Sequence, residues 1–231
     1  TRMNYFCPKQ PYTIRIIVYT PMENPVIIFG AKALGKTALD IFNRNEVLVY
    51  GFLDDDETTH NTEISDISVF GATDNEGFTK LIGQKCEAFV ALEDRTERKS
   101  LVEFLHEVRH AQPVNAVHPS AIISEEAHVG HGNLVAAGVI LQPFSKVSNH
   151  CLLHAGAIVD TEAELEDFVQ VGAGSVVGAG AKVGENTFIG SGVTIVGGVE
   201  IGKNARVGAG SVVIESIPAG ATVFGNPAKK M

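Results

Sequence analysis

Residues 176–213 read VVGAGAKVGENTFIGSGVTIVGGVEIGKNARVGAGSVV, with an aliphatic residue at every sixth position. The rhythm extends beyond this stretch. It begins at Val117 and runs through Ile123, Val129, Val135, Leu141 and Val147 to Val213 without a slip. Two positions before the aliphatic residue, small side chains dominate, as at Ala121, Ala127, Ser145, Cys151, Ala157, Ala163, Ser175, Ala181, Thr187, Ala205 and Ser211. A glycine often follows it, as at Gly130, Gly172, Gly178, Gly184, Gly190, Gly202 and Gly208. A period of six suits neither a helix of 3.6 residues per turn nor an alternating strand. It suits a solenoid of short strands and tight turns, in which each coil buries the face of its neighbour. The aliphatic residue then fills the axis, the small residue fits near a corner, and the glycine relieves crowding of the backbone at the turn. A glycine-rich linker would not hold that register.

Upstream, the grammar changes. Pro25–Gly30 (PVIIFG) is a short apolar run ending in glycine, and Gly35–Arg44 has helical spacing, with Leu34, Ala38, Leu39 and Phe42 on one stripe. Val47–Leu53 reads as a second strand ending at Asp54, Asp55 and Asp56, and Ser68–Phe70 as another short one. Cys86–Leu92 reads as a buried strand and Thr96–Val108 as a helix. Such alternation predicts a small open parallel sheet covered by helices, a Rossmann-like α/β domain. The expected organisation is an N-terminal extension over 1–24, the α/β domain over 25–112, a β-helix over 113–218, and an exit loop and tail over 219–231. The first 24 residues fit this plan poorly. They hold three prolines and the run TIRIIVY, a candidate extra strand. A natural start near Met22 is expected, which N-terminal mass spectrometry of the native protein checks.

Bulk properties narrow the function. The net charge of −9 repels phosphate backbones, so nucleic acid is not an expected partner, although a phosphorylated small ligand sees only its own pocket. Cys7, Cys86 and Cys151 are odd in number and far apart, which is neither a disulfide framework nor a zinc site. No metal is expected. No apolar run approaches a membrane span and no signal peptide is read at the N-terminus, so a cytoplasmic location is expected. The loop Gly30-Ala31-Lys32-Ala33-Leu34-Gly35 lacks the GxGxxG fingerprint, which disfavours a dinucleotide. A strand–loop–helix still offers amide N–H groups to a phosphate.

The hexads, with PVIIFGAKALGKTALDIF, GFLDDD, VHPSAIIS and SVVIESIPAGATVFGNPAKK in that order, resemble a family of sugar acetyltransferases. These join a small nucleotide-sugar-binding domain to a left-handed parallel β-helix of hexapeptide repeats. The group includes bacterial N-acetyltransferases of nucleotide-linked amino sugars and sialic acid O-acetyltransferase-like proteins. The resemblance implies three hexads per 18-residue coil and a homotrimer with active sites between subunits. It also implies acetyl-CoA as co-substrate in a groove between adjacent β-helices, and a nucleotide-linked amino sugar held by the N-terminal domain. A glycine-poor wall such as Ala155–Phe168 suits packing against a neighbour.

The resemblance also assigns residues. The family's base is a histidine followed by Asp or Glu; here that position is Thr161, followed by Glu162. A second family histidine is Gln170, and the family's asparagine is His154. The oxyanion contact falls on the backbone amide of Ala179, beside Gly180, and the exit loop with Asn226 and Lys229 falls near the CoA groove. Gly30, Ala31, Lys32, Asp54 and Asp55 fall on the nucleotide-sugar side. Threonine is no base near neutral pH, so three readings stand open. His154 has taken the base role, with Glu162 or Asp160 orienting it. Alternatively the enzyme works without a strong base, at a cost of about 10²–10⁴-fold, or the protein is a catalytically lapsed trimer that binds a sugar nucleotide or serves as a scaffold. N-acetylation, acetyl transfer to an amino group, is expected over sialic acid-like O-acetylation, because a hydroxyl needs stronger activation. Cys151 is read as core, and His118, His128, His131 and His150 as structural, with His150 the next candidate base.

Overall fold

The computed structural model describes residues 24–230; the TIRIIVY run and the expected start near Met22 lie outside them. The α/β unit contains β1 (Val26–Phe29), α1 (Ala33–Arg44), β2 (Val49–Leu53), β3 (Glu63–Ile64), β4 (Ile67–Ser68), α2 (Glu76–Thr79), β5 (Glu87–Val90) and α3 (Arg95–Glu107). Its parallel sheet has the order β2–β1–β5. Alternation along the fully buried β1 divides the core in two. Val26 and Ile28 pack with Leu34, Ala38, Leu39 and Phe42 of α1. Ile27 and Phe29 pack with Val102 and Leu105 of α3. The run at Ser68–Phe70 is split: Ser68 closes an antiparallel hairpin onto Glu63, and Val69 bridges Phe52 beside the sheet.

From Ala116 the chain winds as a parallel β-helix. Every aliphatic residue of the hexad series, Val117 to Val213, is the second residue of a two-residue strand. Strands pair with those 18 residues away, as Ile140 with Ile158, Lys146 with Glu164 and Leu152 with Gln170. Three hexads therefore make one coil with three faces. The first face carries the strands from Ile122–Ile123 to Val212–Val213, the second those from His128–Val129 to Glu200–Ile201, and the third those from Ala116–Val117 onward. The second residue of each strand points to a continuous axial core, from Val135 and Leu141 to Val207. Ile123 and Val129 in the first coil are only partly buried, because no coil lies beneath them. After Val213 the register shortens: Ile217 pairs with Ile201 and Val223 with Val207, each 16 residues away, and both enter the core.

Two different positions constrain the backbone. Glycines just after the aliphatic residue face the next coil. A Cβ at Gly178 would lie 2.6 Å from the Ile195 carbonyl oxygen, and one at Gly190 2.6 Å from the Ala209 nitrogen. Coil-to-coil stacking therefore excludes a side chain there. The left-handed turn residue falls two positions later, at every sixth residue from Gly132 through Gly138 and Phe144 to Asn204 and Gly210. Most are Gly or Asn, as left-handed conformations favour. Phe144, His150, Glu162 and Phe168 depart from this rule. The small residue also has a second task. Ser175 Oγ donates to the Gly190 carbonyl (2.8 Å), and Thr187 Oγ1 to that of Gly202 (3.0 Å), so several corners are bonded as well as filled.

The α/β unit docks on the third face. The outward-pointing Leu134 and Leu152 are fully buried against the α1 side of the unit. Each contributes about 1.5–3 kcal/mol by leaving water. Asn45 Nδ2 donates to the Val117 carbonyl (2.8 Å). On the other side, α3 lies along a corner: Phe168 joins its core, and Arg95 donates to the Asn186 carbonyl. Among the described residues no helix is long and apolar enough to cross a membrane.

Candidate active site

The loops leaving β1, β2 and β5 enclose a cleft of about 580 Å³, lined by Gly30, Lys32, Asp54, Asp55, Glu93 and Glu97 among others. It opens at the carboxyl ends of the strands, beside the central β1, where an open α/β sheet receives ligands. Gly30 adopts φ 104°, and a Cβ on it would lie 2.5 Å from the Ala91 carbonyl oxygen, so the loops after β1 and β5 cross here only because this residue is glycine. The Asp54 carboxylate, 6% exposed, accepts the Ala31 N–H (2.6 Å) on one oxygen and the Asp56 N–H (2.8 Å) on the other. Asp55 accepts the Thr73 N–H and hydroxyl (2.7 and 3.0 Å). Lys32 pairs with Asp56 at 3.1 Å. Hydrogen bonds from Thr58 and then Lys32 hold the Asp56 carboxyl down at about 2. Gly30, Ala31, Lys32, Asp54 and Asp55 thus come together as one braced cleft wall.

His154 follows the third-face strand Leu152–Leu153, at the corner leading to the first face. Its Nε2 lies 3.1 Å from Gln170 Nε2, so two of the sequence-selected residues meet. Burial pushes the His154 imidazole below its ordinary value, against the opposing influence of the Glu93 carboxylate; Arg98 lowers it further. The ring is therefore neutral near pH 7. Thr161 lies at the opposite end of the first face, after Ile158–Val159. There Asp160 accepts the Thr161 N–H (2.7 Å) and Glu162 is exposed in a left-handed turn. Asp160 and Glu162 share the corner of Thr161, not that of His154.

One coil beyond Thr161, Gly180 N–H donates to the Thr161 carbonyl (2.9 Å), and Gly198 N–H to that of Ala179 (2.9 Å). The Ala179 N–H donates to no other described group. Ala179 is exposed. Asn226 and Lys229 are exposed in the terminal hairpin, where Lys229 pairs with Phe224. Cys151 is completely buried, and burial pushes its thiol up to about 12, so it is a protonated core residue and no nucleophile. Among the described residues no group of three or more His, Cys, Asp or Glu is placed to hold a metal ion.

Sequence reasoning missed the junction between the two units. Arg98 is 1% exposed; Nη1 donates to the Leu92 carbonyl (2.9 Å) and Nη2 reaches that of Phe168 (3.4 Å). Burial pulls its guanidinium down to about 10, so it remains charged at neutral pH. His150 stacks on Phe168 with centroids 5.0 Å apart and approaches His106 at 5.8 Å. Burial, then His106, lowers it to about 4. A readable signal existed: bulky residues occupy the left-handed position at Phe144, His150, Glu162 and Phe168, where glycine or asparagine otherwise recurs. All four fall in the coils that carry the junction or the Thr161 corner.

Comparison with known proteins agrees with this architecture. The family profile described as the PglD N-terminal domain matches residues 25–105. The bacterial transferase hexapeptide profile (six repeats) matches residues 180–215. Among solved structures, a histidine-to-alanine variant of GDP-perosamine N-acetyltransferase from Caulobacter crescentus, in complex with CoA and GDP-perosamine, is 29% identical. The alignment covers 90% of this chain and 97% of that one, with a TM-score of 0.83. PerB from Caulobacter crescentus, with the same two ligands, is 28% identical over 90% of this chain and 98% of its own, with a TM-score of 0.81. The acetyltransferase domain of PglB from Neisseria gonorrhoeae is 25% identical over 90% and 100%, with a TM-score of 0.82. No curated protein sequence matches the chain significantly.

Proposed function

From this match to the hexapeptide-repeat sugar N-acetyltransferases, in fold and in the order of its two units, we propose that the protein transfers an acetyl group from acetyl-CoA to an amino group of a nucleotide-linked amino sugar. The α/β cleft takes the nucleotide sugar. Its amide donors include the first turn of α1, whose Lys32 N-cap makes no side-chain cap and leaves N–H groups open to a phosphate. Acetyl-CoA lies along the Thr161 corner. The observation that carries the reading is the match of both units, in order, to an N-acetyltransferase over 90% of the chain. The Ala179 amide, one of several corner amides without an acceptor, stands one coil from Thr161 and suits a thioester oxygen as negative charge develops on it.

His154 is the general base in this proposal. Burial favours its neutral form, and its Nε2 accepts a hydrogen bond from the Gln170 amide, a contact that the acceptor amine must displace to reach the lone pair. As the amine nitrogen attacks the thioester carbonyl, His154 takes its proton. Collapse of the tetrahedral intermediate expels the CoA thiolate, to which the imidazolium returns a proton. Within one chain, His154 and Thr161 flank opposite ends of the first face, so the proposal requires a second subunit. The outward column of that face is Ile122, Ile140, Ile158, Val176, Thr194 and Val212, an apolar ladder with Ile122 64% exposed. Association of three copies through this ladder would bring the His154 corner of one to the Thr161–Ala179 corner of the next. We propose this homotrimer, a cytoplasmic location, and CoA contacts from Gly180, Asn226 and Lys229.

The test is incubation with acetyl-CoA and a panel of GDP- and UDP-linked amino sugars, with mass spectrometry of the product. A gain of one acetyl group, strongly reduced in His154→Ala, supports the reading. Tight nucleotide-sugar binding without acetyl-CoA binding or product assigns the protein to the non-catalytic alternative.

A further inference from the structure

The carboxylates of the cleft are unequal. Asp54 and Asp55 each accept two hydrogen bonds from neighbouring protein groups. Asp56 is engaged by Thr58 and Lys32. Asp94 caps α3 by accepting the N–H groups of Thr96 and Glu97. Glu97 stands in the first turn of α3, where a negative charge complements the helix dipole. Glu93 has no comparable task. It is exposed, lines the cleft, and makes no hydrogen bond or ion pair with another described residue.

Its loop is nevertheless held firmly. Ala91 N–H donates to the Phe29 carbonyl (2.7 Å), and Arg98 ties the Leu92 carbonyl to that of Phe168. Phe168 lies two residues before Gln170, the partner of His154. Glu93 therefore stands where the cleft meets the His154 corner, and its charge is felt by that imidazole. A cleft for a nucleoside diphosphate that carries six acidic residues against Lys32 is unfavourable to the ligand's phosphates. A free carboxylate at its inner edge makes physical sense when another part of the ligand is cationic.

We infer that Glu93 recognises the ammonium group of the acceptor sugar and sets the preference for an amino over a hydroxyl acceptor. The inference rests on the function proposed above. Glu93 draws the protonated amine to the junction by a charge-assisted hydrogen bond. The ammonium releases one proton to solvent before attack, and His154 takes the second as the C–N bond forms. A hydroxyl-bearing sugar gains nothing from the carboxylate.

The experiment measures binding by calorimetry. The probes are 4-amino-4,6-dideoxyhexoses linked to GDP and to UDP, and the matching 6-deoxyhexoses with a hydroxyl at that carbon. Wild type is expected to prefer the amino form by about tenfold, a charge-assisted contact partly shielded by the bound ligand. Glu93→Gln should lose this preference while binding the hydroxyl sugar at least as tightly as wild type, because one charge that opposes the phosphates is gone, and Glu93→Asp should keep part of the preference. Retained hydroxyl-sugar binding shows the variants are folded. A preference that survives Glu93→Gln, or wild type that binds both forms equally, overturns the inference and leaves the proposed function standing. Failure of wild type to bind any of the nucleotide sugars overturns both.

Discussion

Exchanging the residues at two corners separates a relocated base from a missing one. If His154 is the base, His154→Ala removes a group worth about 10²–10⁴ in rate, or about 2.7–5.4 kcal/mol of transition-state stabilisation. Burial lowers the imidazole from its ordinary value and so favours the neutral form that a general base needs. Thr161→His places an imidazole at the other corner. The equivalent positions in the next two coils are Ala179 and Gly197, so little side-chain bulk stands above it. Adding this second base to a protein that already has one should raise kcat/KM less than tenfold. Added to His154→Ala, it should recover at least a hundredfold. The assay is steady-state release of CoA thiol with the acceptor identified by mass spectrometry, on variants whose melting temperatures match wild type. A His154→Ala enzyme that keeps more than a third of wild-type kcat/KM refutes the reasoning. A hundredfold gain from Thr161→His alone would show that the corner at Thr161 lacks a base which His154 does not replace.

Other outcomes follow from particular contacts. Ile158→Asp puts a charge in the middle of the outward apolar ladder and should yield monomers by light scattering, with transferase activity lost. Asn133 is fully buried; its Oδ1 accepts the Cys151 N–H (2.7 Å) and its Nδ2 donates to the Ser148 carbonyl (2.8 Å). Asn133→Ala orphans both groups and should cost about 2–4 kcal/mol, a fall in Tm of about 6–12 °C by differential scanning calorimetry. His150 carries a folded-state value near 4, against 6.5 for an ordinary imidazole. Its group is depressed on folding, so the unfolded chain binds the proton first, and stability is lost as pH falls from 6.5 towards 4. The groups acting on it are His106, Asp167, Arg98 and His131. Between pH 7.5 and 5.0 its share is about 2 kcal/mol in urea unfolding, and His150→Gln should remove that share.

The β-helix was legible because its constraint is strictly periodic. An inward aliphatic residue every six positions is forced by the axial core, and each such residue from Val117 to Val213 is the second of a two-residue strand. The small open sheet was legible for a similar reason, since β1, β2 and β5 are short apolar runs ending at turn residues. The glycine after the aliphatic residue was read as easing a turn. Its task is instead to let the next coil approach, a contact between residues 18 or so apart that no local pattern contains. Candidate chemistry was assigned residue by residue from the resemblance to a family, and local spacing alone did not select it. The column of Thr161 and Ala179 follows from the 18-residue coil, and the wall from Gly30 to Asp55 from the switch point of the sheet.

Only the tertiary structure decided how the two units meet. Leu134 and Leu152 point outward, where the next coils of the same face carry Gln170, Phe188 and Arg206, because α1 and the sheet cover them. Arg98 is buried because its guanidinium bridges carbonyls 76 residues apart, Leu92 and Phe168. Burial of the His154 ring itself favours its neutral form, and the first face lies between it and Glu162. A repeat in sequence specifies a fold that repeats in space. The depth of a side chain and the charge beside it depend on what packs there from elsewhere in the chain, and this is set by the docking of one unit on another.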